Sequence, residues 1–142
     1  MNTYRRNFQK LVQLGVISAT GELMFSYGKS VSDGYMDWSV EHLGDAVPNQ
    51  QSGFVLSLTH YFKQNGDLCK DPDMVIAVYP QQQAVEALSF QMDIPPIYQE
   101  VYPQPGKVAP SLKKSLNAFL TTWLDNLVTQ GHGQHWNFKA LV

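Results

Sequence analysis

Apolar positions along the chain follow a helical rhythm at both ends and an alternating one between them. Tyr4, Phe8, Leu11 and Val12 recur at i, i+4, i+7 and i+8, which predicts an amphipathic helix capped by Asn2 or Thr3 and stopped by Gly15. Leu112, Leu116, Phe119, Leu120, Trp123, Leu127 and Val128 keep the same spacing over a longer stretch. Pro110 suits the first turn of that second helix, and Gly131 suits its end. Between the helices, Tyr35–Leu43 alternates Met36, Trp38 and Val40 with Asp37, Ser39 and Glu41, the pattern of a strand with one wet face. Phe54–Phe62 puts Phe54, Leu56, Leu58, His60 and Phe62 on a shared face, with His60 toward the end of the apolar row. Asn65-Gly66 predicts a hairpin, because a type I′ turn needs positive φ at both central positions.

Met74–Pro80 is apolar on both faces and is expected in the middle of the sheet. Val85–Met92 is a fourth strand, with Leu88, Phe90 and Met92 opposite Val85, Ala87 and Ser89. Ile97–Tyr102, after the break at Pro95-Pro96, is a short edge strand. Leu23-Met24-Phe25 is a weak strand signal, and Tyr27–Gly34 reads as loop. Together these elements predict an α+β fold: an antiparallel sheet of four to five strands, with the N-terminal helix and the long C-terminal helix packed on one face. Residues 1–142 are read as one domain, with 131–142 as a flexible tail.

Composition sharpens this only in places. The length of 142 residues suffices for one ordinary core, and 44% apolar residues with seven Tyr, seven Phe and three Trp mark a globular chain. A formal charge of −2 offers no long-range attraction for nucleic acid. Charged residues make up only 15% of the chain, so weak self-repulsion favours a homodimer. Cys69 stands alone, which excludes an intrachain disulfide. No run approaches a membrane span, and no apolar run follows Arg5-Arg6 to make a secretory signal; the expected location is cytoplasmic.

Several separated blocks carry a family resemblance. His60-Tyr61 with Gln64-Asn65-Gly66-Asp67, then Asp71-Pro72 with Met74, then Gln99-Glu100-Val101-Tyr102 occur in order. They precede a helix carrying Leu116-Asn117, Phe119-Leu120, Trp123-Leu124 and Asn126-Leu127. In this the chain resembles an uncharacterised family of small proteins from bacterial genomes, phages and plasmids. It is similar, more weakly, to the uncharacterised YqiB-like family through its strand order and the Trp123-Leu124 helix ending in Gly131-His132. The resemblance implies the same α+β fold and a mobile-element or accessory setting, and it carries no activity.

The densest polar chemistry lies around the predicted hairpin. His60, Asp67, Asp71 and Asp73 have the side chains of a divalent-metal site, as a small metal-dependent hydrolase would use. Their spacing matches no specific ligand motif, and turn chemistry is the favoured account of Asn65, Asp67 and Asp71. His132 and His135, with His60 or His42, make a second three-histidine set of the kind zinc favours, but its glycine-rich setting suits an exposed tail. Lys70 beside Cys69 could lower the thiol pKa, but a single cysteine in a turn is usually incidental. Gly28-Lys29-Ser30 lacks the first glycine of a phosphate loop. Arg5, Arg6 and Lys10, and separately Lys113 and Lys114, are the only basic clusters, one per helix, and they leave nucleic-acid modulation as a third class.

Tyrosines are the remaining signal. Tyr61, Tyr79, Tyr98 and Tyr102, with Trp136, are candidates for an outward aromatic surface. The expected function is that of a non-catalytic binding or accessory protein with a protein partner and no cofactor. Its candidate binding residues are His60, Tyr61, Asn65, Asp67, Asp71, Tyr98, Glu100 and Tyr102.

Overall fold

The computed structural model describes residues 2–48 and 50–139. The chain runs α1 (Thr3–Gln13), β1 (Tyr27–Ser30), β2 (Trp38–Gly44), β3 (Phe54–Gln64), β4 (Asp67–Tyr79), β5 (Ala84–Met92), β6 (Ile97–Glu100), α2 (Pro110–Thr129) and β7 (Trp136–Lys139). All strand pairs are antiparallel, in the order β6-β5-β4-β3-β2-β1-β7. The α+β class agrees with the sequence, but the sheet has seven strands among the described residues where four to five were expected. None of the helices is long and apolar enough to cross a membrane.

The two extra strands have physical causes that composition hides. β1 contains Gly28, which reads as loop, yet a Cβ there would lie 2.6 Å from the Phe25 ring folded across it. The glycine marks a close approach inside a strand. Leu23 forms only an isolated bridge to Ile17. At the C-terminal end, Gly131 and Gly133 adopt φ of +89° and +92°, and a Cβ on Gly133 would meet the Leu14 carbonyl at 2.8 Å. These glycines shape a tight turn that carries Trp136–Lys139 onto β1, where the sequence suggests a tail. Residues 140–142 of that expected tail lie outside the described residues.

Both helices cover the same sheet face. Leu56, Leu58, Met74, Ile76, Val78, Val85 and Ala87 pack there against Phe8 and Leu11 of α1 and against Leu116, Leu120, Leu124 and Leu127 of α2. Asn7 meets Thr121 and Lys10 meets Asp125 at 3.0 Å, so the helices lie side by side and parallel. In β5 the predicted alternation breaks because Leu88 is an extra residue: Val75 pairs with Ser89 and Ile76 with Ala87. This bulge brings Phe90 onto the helix-covered face, where its ring meets Phe119 of α2. β6 pairs only with Ser89–Met92, and α2 covers the rest of the β5 edge. There Ala87 N–H donates to Asn117 Oδ1 at 2.8 Å, which satisfies an edge amide that would otherwise be buried and unpaired.

Candidate functional site

The sheet's second face carries no helix. Its register aligns two rows of side chains across the strands: Glu100, Ser89, Val75, Ser57, Glu41 and Tyr27, and beside them Tyr98, Gln91, Asp73, Thr59, Ser39 and Lys29. Ser39, Ser57, Thr59 and Ser89 are buried, so small hydroxyl side chains form a floor between larger neighbours. Ser57 Oγ bonds Thr59 Oγ1 at 3.0 Å and donates to Asp73 Oδ1 at 2.8 Å. Lys70 Nζ lies 3.7 Å from the other Asp73 oxygen.

Two hollows open on this floor. One, of about 340 Å³, is bounded by Val75, Ser89, Tyr98, Glu100, Tyr102 and the loop at Ala46–Pro48. The other, of about 410 Å³, lies by Tyr27, Lys29, Asp37, Ser39, Tyr61 and Leu68. Tyr98 is 60% exposed and its hydroxyl donates to Glu100 Oε1 at 2.5 Å. That hydrogen bond, helped by partial desolvation and the carboxylate charge, pushes the Tyr98 pKa up to about 12. Tyr98 is therefore a neutral donor and contact surface throughout the ordinary pH range.

The sequence-predicted residues divide between the two faces. Tyr61, Asp73, Tyr98 and Glu100 belong to the open one. His60 is on the covered face, edge-on to Trp123 at 5.5 Å, with its Nδ1 2.8 Å from the Asp37 carbonyl. Asn65 takes φ of +52° in the hairpin turn, as Asn-Gly predicts, and Asp67 opens β4 opposite Gln64. Asp71 and Pro72 are the two β4 residues between Lys70, paired with Tyr61, and Asp73, paired with Thr59. The Asp71 charge raises the His60 pKa, ranking behind burial, which lowers it, and the Asp37 carbonyl, which raises it. Among the described residues, no group of three or more His, Cys, Asp or Glu side chains is placed to hold a metal. Cys69 is not activated by Lys70; desolvation and then the Asp93 and Asp67 carboxylates raise its pKa. Tyr79 and Trp136 are not outward contacts. Tyr79 is buried, and Trp136 packs 4.8 Å from the Phe25 ring with its Nε1 donating to the Leu14 carbonyl.

Two clusters went unread in the sequence. In the first, Glu86 of β5 is only 4% exposed. It accepts from Tyr79 OH at Oε2 and from Tyr102 OH at Oε1, both at 2.6 Å, with Lys113 Nζ 3.8 Å away. The Tyr102 pKa rises through burial first and the Glu86 bond second. In the second, His132 is buried rather than displayed. Its Nδ1 lies 2.9 Å from Ser30 Oγ, which also accepts Gly133 N–H, and its ring is 6.1 Å from that of His60. A signal for the first existed in the strand alternation that placed Glu86 beside apolar residues. The second depends on a contact across 72 positions, from His60 to His132, that no local pattern encodes.

Burial is the largest cause lowering the pKa of each histidine, and the neighbouring His60 charge lowers His132 further. Asp37 and Asp71 oppose this for His60, and the Met36 carbonyl and Asp37 oppose it for His132. Both rings are thus held neutral in the fold, while the unfolded chain protonates them near pH 6.5. Below that pH the unfolded state binds more protons, so stability is full above about pH 6.5 and falls as the pH drops toward the lower folded values. Urea midpoints measured at about pH 7.5 and pH 5.5 are expected to fall with acid in the wild type. The His60→Phe/His132→Phe variant is expected to lose less over the same interval; an equal loss would assign the acid sensitivity to other groups.

An antiparallel sheet with two parallel helices on one side and a tyrosine-edged open side defines an α+β protein with one exposed sheet face. The chain belongs to the family described as a domain of unknown function, DUF6908, whose pattern matches residues 6–133. No curated protein and no solved structure matches it.

Proposed function

We propose that the protein is a non-catalytic binding or accessory protein that engages a protein partner through the open sheet face. One observation carries the reading: the helices cover one side of the sheet, while the other keeps Tyr61 and Tyr98 standing over a floor of small hydroxyl side chains. Tyrosine combines apolar contact area with a polar tip at low conformational cost, and such a face offers both to a partner. Tyr61, Tyr98 and Tyr102 would supply contact area, with Glu100 and Asp73 supplying specificity. The hydrolase alternative has less to rest on, since His60 and Asp73 lie on opposite faces. Nucleic-acid modulation is weakened because Lys10 and Lys113 are drawn to Asp125 and Glu86. The accessory, mobile-element setting implied by the sequence blocks is part of the same proposal.

Site-specific photo-crosslinking tests it. A benzophenone side chain replacing Tyr61 or Tyr98 is expected to trap one discrete polypeptide in the cells of origin. The same probe at Phe119, exposed on the helix side, is expected to trap none. Equal adducts from all three positions, or none from either tyrosine position, would overturn the proposal.

A further inference from the structure

We infer that a cavity of about 290 Å³ between the start of α1 and the β4–β5 turn is a binding site for a small organic carboxylate. Its volume is at the small end of the roughly 300–1,000 Å³ of ligand sites. The inference shares only Tyr102, through the Glu86 cluster, with the open-face proposal, because the cavity is bounded by α1, the turn glutamines and Glu86 rather than by Tyr61 or Tyr98.

Charge decides the class of ligand. Among the described residues Glu86 contributes the only carboxylate to the lining, and each of its oxygens already receives a tyrosine hydroxyl. Lys113 and Arg5 contribute two cations, of which Lys113 lies 3.8 Å from Glu86, so the lining carries one net positive charge. Lys113 is held in place by Tyr102 OH at 3.2 Å and by the faces of Tyr4 and Tyr102, 5.8 and 5.6 Å from its nitrogen to the ring centroids. Arg5 has no ion pair among the described residues, so its planar fork of donors is open to a carboxylate. α1 has no acidic residue in its first turn to neutralise its positive end, which adds to the same field. Tyr4 and Tyr79 bring aromatic residues to the wall, and Gln82 and Gln83 bring neutral polar ones. A compact body bearing one carboxylate satisfies this combination: flat against a tyrosine ring, with its anionic end toward Arg5 and Lys113.

The cluster also explains why the site binds rather than reacts. Both Glu86 oxygens are already engaged by tyrosine hydroxyls, and the raised pKa of Tyr102, from burial first and the Glu86 bond second, keeps its hydroxyl protonated. Glu86, Tyr79 and Tyr102 act here as positioning residues for Lys113.

Benzoate and its uncharged counterpart benzamide are suitable probes in a ¹⁵N-resolved NMR titration of the full chain. Benzoate is expected to give saturable shifts centred on the amides of Tyr4, Gln82 and Gln83, with a dissociation constant in the ~1 mM range of small fragments. Benzamide and the Arg5→Gln variant, which alters an exposed side chain and leaves the core intact, are each expected to bind about tenfold more weakly. No saturable shift up to about 20 mM benzoate, equal binding of benzamide, or benzoate binding unchanged by Arg5→Gln would overturn the assignment.

Discussion

Replacing Trp38 by Ala is expected to cost about 3–5 kcal/mol of folding stability, as the loss of a large buried aromatic does where neighbours cannot close the gap. Trp38 is fully buried on the covered face. Its ring lies 5.6 Å from that of Trp136 and 6.3 Å from that of His132, and its backbone pairs with His60 on one side and Ser30 on the other. One side chain therefore ties β2 to the turn after α2 and to β7, whose strand contacts are otherwise confined to four residues of β1. Against the 5–15 kcal/mol of a typical domain this is a large share. Chemical denaturation measures it, and hydrogen exchange at β1 and β7 should show those amides losing protection ahead of β3 and β4. Trp38→Phe separates packing from polarity. It keeps most of the apolar ring and removes an indole N–H that is buried without a hydrogen bond, so it should cost much less than Trp38→Ala. A small loss in the alanine variant would mean that Trp136 and His132 collapse into the space.

Local patterns made most of the architecture readable. The period of Leu116, Leu120, Trp123 and Leu127 locates α2, and the alternation through Leu56 and Leu58 assigns the covered face of β3. The apolar run at Met74 places β4 inside the sheet with a strand on each side. What escaped was decided by long-range contacts. Gly28 looks like loop until the Phe25 ring is seen lying against it, and Gly131 and Gly133 look like a tail until Ser32 is found beside the first and Leu14 beside the second. The site divided in the same way. Tyr98 and Glu100 could be assigned to an edge strand from their neighbours, whereas the face of His60 relative to Asp73 separates residues that the hairpin brings close in sequence. Tyr102 was legible as a polar aromatic, but its role was not, because Glu86 and Lys113 reach it from β5 and α2, with Tyr79 of β4 on the other Glu86 oxygen.

That convergence sets the second large effect. Glu86→Ala is expected to destabilise the fold by about 2–4 kcal/mol, since hydrogen bonds to a charged group contribute roughly 1.5–3 kcal/mol and removing the acceptor leaves two hydroxyls to find others. The partial exposure of Lys113 limits what its 3.8 Å approach adds, because solvent screens that pair. The penalty belongs to the broken network more than to the charge itself. If so, the triple variant Glu86→Leu/Tyr79→Phe/Tyr102→Phe, in which every partner becomes apolar together, should recover most of the stability lost by Glu86→Ala. Urea denaturation of the single and triple variants decides between the two accounts. Recovery would mean that the cluster holds its place by mutual satisfaction of polar groups, at little net gain in stability over an apolar core. Its presence would then be explained by the fixed ammonium of Lys113 at the cavity wall rather than by folding. A triple variant as unstable as the single one would instead make the buried carboxylate itself a source of stability, through geometry that apolar side chains cannot reproduce.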